Sequence, residues 1–369
     1  MKFTVSREKL QKGLQKVIST IATRSPFPIL GNVMIEAENG ILRLTTTDME
    51  IRITTEIEAT VEEAGSTTVP ARKFSALISK FTDNEVKFSC DERHHSELLS
   101  GTSKFKLLGL SATDFPPAAE FAPIRKLVFK ENELRKMFNQ IVYAVSLEDG
   151  RKVLHGILVS SKDNTVTMVA TDGKRLALVE KVPVSSSGED GDAIIPLRAA
   201  TEIKRLLDGQ EEVTLTIGEK QAEFTAGGLT LTTKLIEGNY PNYRQVIPTN
   251  FTKQVEVATI PFLQKIELVS QVLSDTASYV ILTFLPNQLR LQAASSDIGE
   301  GQAFVDIDYS AEEINMSFNP AFLADPLRNS DADTVKLHIN DGFNPVAIEG
   351  DEGFMYVLMP MRNPQKTGK

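Results

Sequence analysis

Residues 170–178 of the chain read Ala170-Thr171-Asp172-Gly173-Lys174-Arg175-Leu176-Ala177-Leu178. Just before this stretch, residues 164–169 alternate in polarity and are rich in β-branched side chains, which predicts a strand. Asp172-Gly173 is a turn dipeptide, and the apolar run that restarts at Leu176 predicts another strand. The local prediction is therefore a strand, a tight turn and a second strand.

The same pattern recurs in Leu42–Ile53 and in Leu289–Val305. The turn aspartates are Asp48, Asp172 and Asp297, which lie 124 and 125 residues apart. We expect each aspartate to close an Asx-type turn with its own side chain. Because each belongs to a different repeat, we do not expect the three to form one catalytic cluster.

A shorter repeat lies inside the long one: six times, a short apolar strand leads into a polar or proline residue and then a helical pattern. The strand ends are spaced 60 to 66 residues apart, which is typical of tandem supersecondary units. Ser6 and Asn319 are expected helix caps, and Pro326 should kink or end the sixth helix. The alternating stretches between the helices predict antiparallel sheets. The six predicted helices are 6–14, 70–78, 131–142, 196–207, 261–272 and 319–327.

Two proline-containing linkers, Phe115–Pro123 and Tyr240–Pro248, divide the chain. The predicted domains are residues 1–122, 123–249 and 250–369. Each holds two units made of a strand, a helix and several strands. The predicted fold class is α+β, with three tandem similar domains whose sheets are antiparallel.

Composition limits the class of protein. The 369 residues are 41% hydrophobic, which supports real cores. No apolar run reaches the roughly 18 residues that a membrane span needs, and the N-terminus has no signal-peptide pattern. Cys90 is the one cysteine, so no internal disulfide can form. These features predict a cytoplasmic protein without membrane contact.

The sequence offers little for catalysis. It has no phosphate-binding Gly-x-x-x-x-Gly-Lys-Ser/Thr loop, and no Gly-x-Gly-x-x-Gly follows a predicted strand. His94-His95 near Cys90 is the one cluster that resembles a metal site, but adjacent residues on a strand point to opposite faces. We therefore predict no catalytic residue, no metal and no cofactor.

Charge is distributed unevenly along the chain. The predicted helices and their flanks carry a net charge of +9, whereas the rest carries −18, within a total of −9. Ordinary solvated helix faces would explain this. The alternative is a positive surface made by helices that face one way, which suits a phosphate backbone.

Six ordered motifs resemble the bacterial sliding clamp family, the β subunits of the DNA polymerase III holoenzyme. The resemblance covers the whole chain and agrees with the threefold repeat. The usual aromatic-basic pattern is replaced around 274–279, and Lys174 stands where a compared relative has histidine. The motifs are Met1–Val5, Phe27–Asn32, Thr68–Phe74, Ala170–Ala177, Gly238–Arg244 and Tyr356–Arg362.

The resemblance implies a DNA polymerase processivity factor that is not an enzyme. Two chains would close head-to-tail into a ring, with helices lining the hole and sheets outside. The ring would encircle duplex DNA without reading its sequence. Short linear peptides of the polymerase, the clamp loader and repair proteins would bind a groove between domains 2 and 3. A separate loader would hydrolyse ATP.

The resemblance also implies roles for particular residues. Phosphate contacts are expected from Arg24, Arg72, Lys73 and Arg198, with Lys12 and Lys16 as weaker candidates. The dimer interface is expected to use Phe105 and Leu107 of one chain and Val272 and Leu273 of the other. The expected peptide groove comprises Arg151, Leu154, Thr171, Gly173, Lys174, Arg175, Leu176, Pro241, Val246, Asn319, Phe322, Phe343, Val357, Met359, Pro360, Met361 and Arg362.

Two other classes of function remain open at this point. One is a hydrolase or nuclease acting at Asp48, Asp172 or Asp297, which metal-dependent cleavage of DNA would reveal. The other is a protein-interaction scaffold that never encircles DNA. Retention on closed circular DNA distinguishes that scaffold from a ring.

Overall fold

The structure is a computed structural model. It describes residues 1–21, 27–148, 150–207, 209, 211–274 and 279–361. Two compact units divide the chain. The first comprises Met1–Arg135, Pro183–Glu189 and Arg198–Leu235, and the second comprises Lys136–Val182, Asp190–Leu197 and Ile236–Lys369.

Each of the six α-helices in the described residues directly follows a strand, which confirms the predicted strand-to-helix repeat. None of them, within those residues, is long and apolar enough to span a membrane. The helices are α1 (Arg7–Val17), α2 (Ala71–Lys80), α3 (Glu131–Ile141), α4 (Leu197–Leu206), α5 (Thr259–Val269) and α6 (Pro320–Arg328).

The helix starts show which capping predictions hold. Asn319 caps α6, because its Oδ1 accepts hydrogen bonds from the backbone N–H groups of Ala321 (2.9 Å) and Phe322 (3.4 Å). The prediction for Ser6 was wrong, since its side chain makes no capping hydrogen bond. The N–H of Arg7, the first residue of α1, donates to the carbonyl of Asn84 at 2.9 Å. As predicted for Pro326, α6 ends soon after it, at Arg328.

The first unit contains two antiparallel sheets. Phe3 and Phe88 stack in its core with ring centroids 4.7 Å apart, and Phe74 contacts Phe88 edge-on. The five-stranded sheet has the order β5 (Thr60–Glu63), β1 (Lys2–Ser6), β7 (Glu85–Cys90), β8 (His95–Ser100), β9 (Ser103–Leu108). The nine-stranded sheet has the order β14 (Ser185–Gly188), β10 (Arg125–Lys130), β16 (Glu212–Ile217), β17 (Gln221–Ala226), β18 (Leu229–Lys234), β4 (Ile51–Glu58), β3 (Ile41–Thr47), β2 (Asn32–Glu38), β6 (Gly65–Pro70).

The second unit also contains two antiparallel sheets. The eight-stranded sheet has the order β15 (Gly191–Pro196), β11 (Gly156–Lys162), β12 (Thr165–Thr171), β13 (Arg175–Lys181), β26 (Phe354–Leu358), β25 (Val346–Glu349), β24 (Thr334–Ile339), β19 (Lys253–Ala258). The four-stranded sheet has the order β22 (Gly299–Asp306), β21 (Gln288–Ser295), β20 (Val280–Leu285), β23 (Ile314–Phe318).

The pairing of β13 with β26 joins the middle of the chain to its last strand. Leu176 lies opposite Val357 in this register. At the far end of the pair, the N–H of Glu180 donates to the carbonyl of Gly353 at 2.8 Å. Gly353 has φ +76°, and a Cβ there would lie 2.3 Å from the carbonyl oxygen of Glu180. Only glycine permits this close approach of the two backbones.

The predicted strand, turn and strand around Asp172 are confirmed as β12, the turn and β13. Oδ1 of Asp172 accepts hydrogen bonds from the N–H groups at positions 174 and 175, and Oδ1 of Asp48 does the same for positions 50 and 51. The Asx turn predicted at Asp297 was wrong. There, the hydroxyl of Ser295 accepts from the N–H groups of Asp297 and Ile298, because serine can cap such a turn as well.

Candidate functional site

A pocket of about 260 Å³ lies in the second unit, beside the Asp172 turn. Eleven of its thirteen lining residues are predicted groove residues. The other two, Asn242 and Tyr243, lie within the Gly238–Arg244 motif next to Pro241, so a signal for them was present in the sequence. The lining comprises Arg151, Leu154, Thr171, Gly173, Lys174, Arg175, Leu176, Pro241, Asn242, Tyr243, Val246, Val357 and Met359.

The turn at one edge of the pocket is held by its own side chains. The hydroxyl of Thr171 donates to the carbonyl of Arg175 (2.6 Å) and accepts from the N–H of Gly173 (3.1 Å). Gly173 has φ +83°, a left-handed conformation that favours glycine. The N–H of Met359 donates to the carbonyl of Lys174 at 3.0 Å. The turn is thus attached to the chain that follows β26.

The floor of the pocket is apolar and its rim is mixed. Leu154, Leu176, Tyr243 and Val357 are all buried and form the floor, and three of them belong to one buried cluster. Val246 on the rim is 55% exposed, and the exposed rim also includes Met359, Arg151 and Lys174. An apolar floor with a few polar groups around it suits binding of an extended, mostly apolar ligand.

Arg175 lines the pocket, yet its guanidinium forms hydrogen bonds with other groups of the protein. Its Nε donates to Asp172 Oδ2 at 3.1 Å, and one Nη donates to Asp325 Oδ2 at 2.5 Å. The other Nη donates to the carbonyl of Tyr143. Burial penalises the charge, but the pKa of Arg175 is raised because surrounding groups, Asp325 among them, outweigh that penalty. These bonds leave the guanidinium of Arg175 little capacity to pair with a ligand carboxylate.

Tyrosines near the pocket stay neutral. Burial raises the pKa values of Tyr240, Tyr243 and Tyr356 above the ordinary tyrosine value. Their hydroxyls therefore stay protonated near neutral pH. The geometry described for this pocket favours binding over chemistry.

The remaining predicted groove residues lie outside the pocket lining. Asn319 caps α6, and the ring of Phe322 lies 4.0 Å from the guanidinium carbon of Arg175. Phe343 is 82% exposed on a turn whose N–H groups are held by Asp341. Pro360 is half-buried next to Met361, whose N–H donates to the carbonyl of Ser317. Arg362 lies outside the described residues.

The expected phosphate-binding residues that the structure describes lie in the first unit. Lys73 and Arg72 are exposed in the first turn of α2, and one Nη of Arg72 donates to the carbonyl of Ile21 at 2.7 Å. On α1, Lys12 pairs with Glu8 at 2.8 Å, and Lys16 is half-buried in the last turn. Arg24 lies outside the described residues.

Arg198 at the start of α4 is exposed, but it forms an ion pair with Asp48 Oδ2. This pair resembles the one between Asp172 and Arg175, since the oxygen that is not engaged with the turn holds an arginine in both. This pairing had no signal in the sequence, because the two residues are 150 positions apart. Arg198 is therefore a weaker candidate for phosphate contact than Lys73.

The expected interface residues lie at sheet edges or beside them. In the strand order of the described residues, β9 and β22 are edge strands. Phe105 on β9 is 42% exposed, and Leu107 is half-buried. Val272 and Leu273 follow α5 and are half-buried, and Val272 lies within 3.7 Å of the position of a Cβ on Gly301 of β22.

Metal ligands do not gather in the described part of the chain. There, no group of three or more His, Cys, Asp or Glu side chains is arranged to hold a metal ion. Cys90 is a free cysteine. His95 contacts Asp91 rather than Cys90, with 3.5 Å between Nδ1 and Oδ2.

Three family models match successive parts of the chain. They describe the N-terminal, central and C-terminal domains of the DNA polymerase III beta subunit and match residues 1–119, 128–242 and 244–362. Together they cover nearly the whole chain.

Individual relatives are similar in sequence to this chain over nearly their full length. The beta sliding clamp of Chlamydia muridarum is 32% identical over 362 residues, which are 98% of this chain and 99% of that protein. The beta sliding clamp of Escherichia coli K12 is 30% identical over 367 residues, 98% of this chain and 100% of that protein. A solved sliding clamp from Pseudomonas aeruginosa, bound to griselimycin, is similar with a TM-score of 0.93 and 28% identity, covering 98% of this chain and 100% of that chain. The chain therefore belongs to the DNA polymerase III beta subunit family and has the three-domain fold of the sliding clamps, which are processivity factors of DNA replication rather than catalytic enzymes.

Proposed function

We propose that this chain forms a homodimeric ring that encircles duplex DNA and tethers the replicative polymerase and other proteins through the pocket beside Asp172. The observation that supports this most is the pocket itself. Its apolar floor and exposed rim belong to a preformed surface made from a turn, a linker and the last strand. The chain itself would do no chemistry and need no cofactor.

The ligand proposed for the pocket is a short linear peptide with apolar side chains. The pocket of about 260 Å³ offers space for apolar side chains above its buried floor. Met359 on the rim is flexible enough to pack against different sequences. That a related clamp was solved with griselimycin bound supports a ligand-binding role in this family. Polymerase, clamp loader and repair proteins would share the site by presenting similar peptides.

DNA contact is proposed for the helical cations. Lys73 is the strongest candidate because it is exposed in α2 and next to Arg72. Lys12 and Lys16 are weaker because one is paired with Glu8 and the other is half-buried. Arg198, paired with Asp48, is also weaker. Arg24 remains a proposal from the resemblance. Such contacts to phosphate carry no base specificity, so the ring could slide.

The dimer is proposed to form when β9 of one chain meets β22 of another. An exposed edge strand invites pairing because its backbone groups lack a neighbour on one side. The side chains from Ser103 to Lys106 are all exposed. The two edges are also complementary in charge, with Lys104 and Lys106 on β9 and Glu300 and Asp306 on β22. Phe105, Leu107, Val272 and Leu273 would supply the apolar part of the contact.

Replacing Val272 and Leu273 together by alanine should convert the dimer to a monomer, because it removes apolar area where β22 would meet its partner. Sedimentation velocity measures this directly. Leu147→Ala is the matched control, since Leu147 is 78% exposed and belongs to neither edge strand. A double variant that sediments as the wild-type dimer would place the interface elsewhere.

Lys73→Ala should weaken binding to a short duplex of any sequence and flatten its salt dependence. One lost phosphate contact reduces the slope of log K against log salt by about 0.9. Lys87→Ala on β7 is the control, because Lys87 is an exposed lysine on a strand paired with Glu85. Fluorescence anisotropy at several salt concentrations gives both slopes. Equal slopes for Lys73→Ala and wild type would show that Lys73 does not contact DNA.

A labelled peptide of the type Gln-Leu-x-Leu-Phe should bind with micromolar affinity, about −7 to −8 kcal/mol. Val246→Glu should weaken binding at least about tenfold, since it places a charge on the rim of an apolar pocket. Val182→Glu is the matched control, because Val182 is 64% exposed and lies outside the lining. Truncation before Met359 should also weaken binding while the dimer persists. If both altered proteins bound the peptide with wild-type affinity, the peptide site would lie outside this pocket.

A further inference from the structure

The guanidinium of Arg175 uses all three of its nitrogens in hydrogen bonds and lies beside two aromatic rings. Its three nitrogens reach Asp172, Asp325 and the carbonyl of Tyr143. The ring of Phe322 lies 4.0 Å from the guanidinium carbon, and the ring of Tyr143 lies 5.6 Å from it. The side chain is only 9% exposed. A peptide in the pocket would therefore meet a guanidinium that is largely buried and already hydrogen-bonded inside the protein.

The groups that hold Arg175 each have a second role. Oδ1 of Asp172 fixes the turn at the pocket edge. Phe322 and Asp325 are residues of α6. The hydroxyl of Tyr356 on β26 donates to the carbonyl of Phe322 at 2.8 Å. Arg175 thus connects the pocket turn to a helix that contributes nothing to the pocket lining.

We propose that Arg175 is a positioning residue, which clasps the Thr171–Arg175 turn to α6 through Asp172, Asp325 and Phe322 and so keeps the peptide pocket formed before a ligand arrives. This inference rests on the proposed peptide-binding function of the pocket. It differs from direct recognition, in which Arg175 would pair with an acidic group of the peptide. The two roles predict different results for the same substitution.

Removing Arg175 should alter the protein even when no peptide is bound. The carboxylates of Asp172 and Asp325 both lie within hydrogen-bond distance of one guanidinium, so its loss leaves two like charges near each other without the cation that bridges them. The turn and α6 should then separate or fluctuate. Because the pocket shares the turn, its walls should lose their alignment for peptides of any charge.

The experiment uses the full chain with Arg175→Ala, Arg175→Lys, Asp325→Ala and Arg328→Ala. Arg328 is the matched control, because it also contacts Asp325 (3.7 Å) and pairs with Glu267 but is not part of the clasp. Hydrogen exchange without peptide is measured for 171–176 and for α6. Affinity is measured for two Gln-Leu-x-Leu-Phe peptides, one with a free C-terminal carboxylate and one with a C-terminal amide.

Arg175→Ala should raise exchange in both segments and weaken both peptides by the same factor, about tenfold or more, equal to 1.4 kcal/mol or more. Asp325→Ala should weaken both peptides as well, although Asp325 does not line the pocket. Arg175→Lys should give an intermediate loss, since lysine keeps the charge without the planar fork. Arg328→Ala should behave as wild type.

Three results would contradict the positioning role of Arg175. They are unchanged hydrogen exchange in Arg175→Ala, a loss of affinity confined to the peptide with the free carboxylate, and wild-type peptide affinity in Asp325→Ala. Failure of the wild-type protein to bind either peptide would instead overturn the proposed function of the pocket, and the positioning role with it. The exchange data would still decide whether Arg175 holds the turn to α6.

Discussion

The carboxylate of Asp172 accepts hydrogen bonds from two parts of the second unit, and the structure around the pocket depends on it. Asp172 holds the backbone of its own turn with Oδ1 and the guanidinium of Arg175 with Oδ2. A turn built this way has little freedom, so β13 enters the sheet in one register and pairs with β26. The pocket floor, in which Leu176 lies opposite Val357, follows from that register. The pocket is therefore a consequence of the turn rather than a separate feature.

The same device occurs at Asp48, where the second carboxylate oxygen holds Arg198. An arginine used in this way is lost to other partners. This is why the exposed cations of the helices are unequal as candidates for phosphate contact. Lys73 keeps an exposed charge, whereas Arg198 is neutralised by Asp48 and Lys12 by Glu8. Net charge along the sequence counts all three alike, although an ion pair weakens the local field that a phosphate would meet.

Much of the fold could be predicted because its signals are local. The spacing of the six strand-to-helix transitions and the Asp-Gly turn depend on near neighbours in the sequence, and so does the cap at Asn319. The side chain of Ser6 makes no capping hydrogen bond although serine is favoured at that position, so residue type alone was not enough to predict the cap. The role of Arg175 was also beyond prediction, because its partner Asp325 is 150 residues away. Resemblance named the pocket residues, but it could not separate those that face a ligand from those that hold the pocket together.

If the chain acts as a closed ring around duplex DNA, its link to a circular DNA molecule is topological. The measurement is retention of the assembled protein on nicked circular DNA during gel filtration at high salt, before and after the circle is cut once by a restriction enzyme. A clamp loader and ATP would be supplied for assembly. A closed ring should be retained on the circle and released after cutting, because the link is topological and the phosphate contacts are screened by salt. Equal retention on circular and linear DNA, or release from both, would contradict a closed ring.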